Sequence, residues 1–155
     1  MKIRKLIPGI MFFAILFASC ENGEHNTLPT KPEEAECYIG TLTVDQNDGT
    51  TYTQEDVKID YEIIDGKLNF VMYKVKFSEN MPIKLDMVVE GIDCLGVVGN
   101  YVLAGNGIVP YAMGGKFEKY TITNLVGAIT HGTMSLSFTC GEYPVTYEAE
   151  SSQPQ

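Results

Sequence analysis

Alternation of apolar and polar residues is the feature that most limits what this chain can fold into. In residues 57–63 every second position is apolar, with Lys58, Asp60 and Glu62 between them. Residues 41–44, 83–89 and 134–140 repeat the pattern. Because successive side chains of a strand point to opposite faces, each run predicts a half-buried antiparallel strand. No window combines a helical period with helix caps, so we expect almost no helix.

Turn-forming dipeptides separate these runs. Asp65-Gly66 stands between two strands and supplies the positive φ angles that a two-residue hairpin turn requires. Similar dipeptides are Asp48-Gly49, Asn106-Gly107, His131-Gly132 and Gly141-Glu142. The pattern predicts eight strands, at about 38–45, 53–64, 67–78, 83–91, 97–104, 118–129, 133–140 and 143–150, with 105–117 as a glycine-rich connection. Consecutive hairpins form a single antiparallel up-and-down meander, and eight strands are enough to close it into a barrel.

The interior of such a barrel can be filled by its own side chains or hold one small ligand. The residues that the alternation places inside are mostly bulky, and we therefore expect a filled interior. They are Leu42, Val57, Ile59, Tyr61, Ile63, Leu68, Phe70, Met72, Leu85, Met87, Leu136 and Phe138. Any pocket should be shallow and lie at a mouth near 105–117, with Tyr101 and Tyr111 as candidate ligand-binding residues.

The N-terminal segment has the pattern of an export signal. Basic residues at positions 2, 4 and 5 precede an apolar stretch of 6–18, which is too short to span a bilayer. The sequence LFASC at 16–20 is similar to a lipobox, although Phe17 stands where leucine is usual. We predict a lipoprotein signal peptide at 1–19, lipid attachment at Cys20 with a flexible tether over 20–36, a barrel domain at 37–150 and a tail at 151–155. An ordinary secretory signal that contains a cysteine is the alternative.

Charge limits the partners. The chain has 11 basic and 20 acidic residues, and loss of a leader with three basic residues leaves a net charge of −12. A surface this negative repels phosphate backbones and anionic headgroups, so nucleic acid is not expected as a partner. Membrane association would then depend on the lipid itself.

Residue types with catalytic or metal chemistry do not converge in the sequence. Cys37, Cys94 and Cys140 form no CxxC motif, and His25 and His131 are far apart. Buried, inert thiols are the expectation, although a disulfide between two of these cysteines stays open. Ser135 and Ser137 fall on the outward face of their strand, away from any base. We therefore predict no enzyme, no metal site and no cofactor.

A resemblance to a known family rests on three segments. Residues 38–44 (YIGTLTV), 68–72 (LNFVM) and the stretch from 125–129 (LVGAI) to Tyr147-Glu148 are similar to the calycin-like β-barrel lipoproteins of Bacteroides-type bacteria. The resemblance implies a lipocalin-related barrel anchored in the cell envelope, on either face of the outer membrane, and it implies no activity. The hypotheses are a structural, interaction or accessory protein with an envelope protein partner, or alternatively a binding protein for a small apolar or amphipathic ligand.

Overall fold

The computed structural model describes residues 34–151, which are almost entirely β-strand. A single short 3₁₀ helix, Glu118–Tyr120, lies among the described residues. The strands are β1 (Glu34–Asp45), β2 (Thr51–Ile64), β3 (Lys67–Val75), β4 (Leu85–Val97), β5 (Asn100–Gly105), β6 (Tyr111–Ala112), β7 (Gly115–Lys116), β8 (Ile122–Thr130), β9 (Thr133–Cys140) and β10 (Tyr143–Ser151).

Eight of these strands close into one antiparallel barrel. The neighbours run β3-β2-β1-β10-β9-β8-β5-β4, and β4 pairs back with β3 to complete the ring. Closure leaves the long strands with partners on both sides, which removes the exposed edges that promote aggregation. The predicted all-β, up-and-down barrel of eight strands is confirmed.

Several strand bounds differ from those predicted. The backbone of Glu34 already pairs with Ile63, so β1 begins inside the stretch expected to be tether. At the other terminus Ser151 pairs with Tyr38 and extends β10. The strand expected from residue 118 starts at Ile122, because residues 118–120 form the 3₁₀ helix. The connection 105–117 contains the small β6–β7 hairpin, and β6 pairs with β4 at Val88.

The predicted hairpin turns form as the residue types require. Asp65 and Gly66 have φ angles of 51° and 71°, and they connect the paired residues Ile64 and Lys67. Two positive φ values in a two-residue loop match the twist of antiparallel strands. His131 and Gly132 repeat this arrangement between β8 and β9, with φ angles of 48° and 81°.

Irregularities in the strand register accompany residues with positive φ. Lys74 in β3 and Asn124 in β8 adopt φ angles of 52°, each at a shift in strand pairing. Their backbone N–H groups donate to side chains of other segments, Lys74 to Asp86 Oδ1 at 2.9 Å and Asn124 to Asn106 Oδ1 at 3.0 Å. Bulges bend and twist strands, which is what closing a sheet into a barrel requires.

The barrel has two rims. Glu34 enters at one of them, together with the turns at 65–66, 98–99 and 131–132 and the end of β10. Backbone hydrogen bonds join its parts: Cys94 N–H donates to Gly66, His131 N–H to Gly99, and Ser151 N–H to Gly132. We call this end the N-terminal rim. The opposite end, formed by the loops 46–50, 76–84, 106–121 and 141–142, is the far rim.

Candidate functional site

The inside of the barrel is packed with apolar and aromatic side chains. All twelve residues predicted to point inward are buried, with exposed fractions between 0% and 3%. A side chain that lined a water-filled chamber would retain accessible surface, so these fractions indicate close packing. Buried aromatic rings contribute much of the fill: Tyr38 stacks on Tyr61 with 5.9 Å between ring centres. The Tyr147 hydroxyl donates to the Val57 carbonyl at 2.9 Å, and burial raises the pKa of this phenol.

The far rim is closed by an aromatic plug, which we define as Phe77, Phe117 and Tyr120. The Tyr120 ring centre lies 5.0 Å from that of Phe77 and 5.1 Å from that of Phe117. The 3₁₀ helix positions Tyr120, and Met81 from the loop 76–84 contacts its hydroxyl through sulfur at 3.8 Å. Sequence reasoning read residues 118–120 as strand and missed this plug. A ligand could not enter here without displacing the rings.

The structure does not bring the two candidate tyrosines together. Tyr101 on β5 points into the barrel at the N-terminal rim, is 9% exposed and pairs with Gly96. Tyr111 on β6 is 40% exposed and pairs with Val88. The two β4 partners are eight residues apart, about 26 Å along a strand. A shared pocket for Tyr101 and Tyr111 is therefore inconsistent with the fold.

The cysteines and the histidine of the described residues lie on separate elements of the barrel. Cys94 and Cys140 are buried, and neither of them forms a disulfide. Burial raises the pKa of the Cys140 thiol to about 12, which keeps it protonated. His131 occupies the β8–β9 turn. Within residues 34–151, no three His, Cys, Asp or Glu side chains are grouped to hold a metal ion.

Two carboxylates on the outer wall depart from the sequence expectation. Alternation placed Asp60 and Glu62 on the solvent side of β2, but they are 1% and 5% exposed. Lys58 Nζ lies 3.3 Å from Asp60 and also covers the Tyr73 ring, whose hydroxyl donates to Asp60 at 3.2 Å. One oxygen of each carboxyl group, Asp60 Oδ1 and Glu62 Oε1, has no hydrogen-bond partner in the described part of the chain.

Burial is the main reason that the pKa values of both Asp60 and Glu62 are raised. Lys58 opposes the rise at Asp60, and an Asn69 hydrogen bond opposes it at Glu62. A sequence signal was available: Val71 and Cys37 share this outer face, opposite Asp60 on the neighbouring strands, and are themselves 4% and 1% exposed. Apolar neighbours on a supposedly polar face indicate that this face is withdrawn from water.

A shallow concavity of about 480 Å³ lies on the outside of β1, β2, β9 and β10. Its lining is rich in carboxylates, contributed by Glu55, Asp56, Glu148 and Glu150. Asp56 sits at the β1–β2 bulge with φ of 56°, which bends the wall locally. The concavity includes neither Tyr101 nor Tyr111.

Cys20, the predicted lipid attachment residue, lies outside the described residues. Within those residues, no helix has the length and apolar character to cross a membrane. A scan of protein-family models gave no match for this chain, and neither a curated protein nor a solved structure matched it.

Proposed function

We propose that this chain is a lipid-anchored module of the cell envelope, attached at Cys20 to the outer membrane. Its barrel, of the calycin-like type, serves as a structural, interaction or accessory protein. Support for the anchor comes from the sequence, where a basic start, a short apolar run and Ala18-Ser19-Cys20 stand together. The anchor provides the contact with the membrane, and the acidic domain is soluble beside it.

The observation that carries the functional proposal is the packed interior. A carrier of small molecules needs a chamber that encloses most of its ligand. Here the inward side chains occupy the barrel, and the aromatic plug closes the far rim. The surfaces left for function are the outer wall and the two rims. A barrel of this kind offers a rigid scaffold to a protein partner in the envelope.

The alternative is a binding protein for a small apolar or amphipathic ligand. One observation indicates where such a ligand would enter the barrel. Cys94, Tyr101 and Ala149 are the core residues with the largest exposed fractions, 8–9%. All three lie towards the N-terminal rim. A ligand would therefore enter between the turns of that rim. Native mass spectrometry of protein purified without detergent would show such a ligand as a constant added mass.

Metabolic labelling tests the anchor directly. Cells that express the full chain are fed radiolabelled palmitate, and the label should enter the wild type and be absent from Cys20→Ala. Cys94→Ala is the matched control, because it also removes one thiol but leaves the lipobox intact, and it should be labelled like the wild type. Equal labelling of the wild type and Cys20→Ala contradicts the proposal.

A further inference from the structure

A hairpin with several exposed apolar side chains lies at the N-terminal rim. It consists of residues 95–102, the end of β4, the turn and the start of β5. Leu95, Val97, Val98 and Val102 are 74%, 70%, 75% and 65% exposed. Single exposed apolar residues are ordinary on protein surfaces, but four on one hairpin form a patch of the kind that marks an interaction site.

The part of the barrel wall next to the hairpin is also poor in charged residues. No Asp, Glu, Lys or Arg occurs in residues 94–115 or in residues 120–141, although a fifth of the chain is charged. These two stretches supply β5, β8 and β9, which are neighbours in the barrel. Val126 on β8 adds a 58% exposed side chain beside β5. The part of the outer wall formed by β5, β8 and β9 therefore lacks the Asp, Glu, Lys and Arg side chains that would resist transfer out of water.

The hairpin lies at the same rim as the start of β1, and this position indicates which partner it contacts. Glu34 enters the barrel at the same rim, and only residues 21–33 separate it from Cys20. Such a segment spans at most about 45 Å when fully extended. A lipid on Cys20 would thus keep the N-terminal rim within about 45 Å of the bilayer surface. Tethering raises the effective concentration of the hairpin at that surface, so even a weak contact would form.

We propose that the apolar hairpin, with Val97 and Val98 at its tip, inserts into the neutral lipid surface that the Cys20 anchor holds against this rim. The inference rests on the proposed anchor and adds an orientation to it. Charge favours zwitterionic lipid, because the carboxylates of Asp65 and Glu150 lie at this rim, whereas Lys67 and Asp93 neutralise each other in an ion pair. Anionic headgroups would be repelled by these carboxylates.

The absence of tryptophan from the chain allows a direct test. Val98→Trp introduces one fluorescent reporter at the hairpin tip of the full, lipidated protein, which is reconstituted into phosphatidylcholine vesicles. Met113→Trp is the matched control, since Met113 is 71% exposed at the far rim, away from the anchor. We expect brominated lipid to quench the Val98→Trp reporter several-fold more strongly than the control, and aqueous iodide to quench it several-fold less.

Each other outcome contradicts the proposal in a recognisable way. Equal iodide quenching of the two variants, in a preparation that carries the palmitate label, overturns the hairpin contact and leaves the anchor standing. Absence of the label overturns the anchor and with it the oriented contact. Protection from iodide that disappears when the protein is diluted into more lipid indicates a second copy of the chain as the occupant, and rejects insertion.

Discussion

Replacing Phe77 by alanine tests whether packing closes the barrel at its far rim. The Phe77 ring is 1% exposed and lies 5.0 Å from the Tyr120 ring centre. The backbone at Phe77 is held in place, because the Phe77 carbonyl accepts a hydrogen bond of 2.9 Å from Gln46 Nε2. The neighbours therefore have little freedom to collapse into the space that the ring leaves.

The expected cost follows from this geometry. A buried phenylalanine replaced by alanine loses its transfer free energy and leaves a cavity, which together lower the free energy of unfolding by about 3–5 kcal/mol. Of this, about 0.5–1.5 kcal/mol belongs to the pairing of the two rings. Since small domains are stable by about 5–15 kcal/mol, the variant should remain folded but be markedly weakened.

Urea denaturation followed by circular dichroism measures the effect. With a slope of about 2 kcal/mol per molar urea, the midpoint should fall by about 2 M. Phe117→Ala is the matched control, because Phe117 contacts the same Tyr120 ring at 5.1 Å but is only half-buried. It should cost less than half as much. A loss below about 1 kcal/mol for Phe77→Ala, or equal losses for both variants, would refute the argument that the barrel is filled and plugged.

Two further predictions concern the turn and the buried carboxylate. Gly66→Val should lower the free energy of unfolding by about 1 kcal/mol or more, because a β-branched residue resists the φ of 71° found there. Gly115→Val is the control, since Gly115 does not have a positive φ and is surrounded by open space. Equal urea midpoints for the two variants would contradict the reasoning. Glu62→Gln should be more stable than the wild type near pH 7 and equal to it near pH 3. Burial raises the pKa of Glu62, so the wild type is most stable below the unfolded pKa and loses stability as pH rises towards the folded pKa. Thermal unfolding midpoints of the wild type and Glu62→Gln, measured between about pH 3 and pH 8, test this prediction. A wild type that gains stability relative to the variant as the pH rises would contradict a raised pKa of Glu62.

On the outer face of β2, the sequence predicted the direction of the side chains but not their exposure to solvent. Alternation separated Ile59 and Tyr61 from Asp60 and Glu62 correctly, since the first pair points inward and the second outward. It could not show that the outward pair is withdrawn from water, because exposure depends on what lies across the strands. Val71, Cys37 and Tyr73 come from β3 and β1, and only strand pairing brings them beside these carboxylates.

The sequence by itself determined the eight strands, their order as consecutive hairpins and the inward set, because side-chain alternation and turn residues are local properties of the chain. It also supplied the case for the anchor at Cys20. Only the tertiary structure decided the register bulges, the aromatic plug and the separation of Tyr101 from Tyr111, since each depends on contacts between segments far apart in sequence. The same holds for the apolar hairpin: barrel closure places it at the rim where the chain enters, and no local pattern encodes that position.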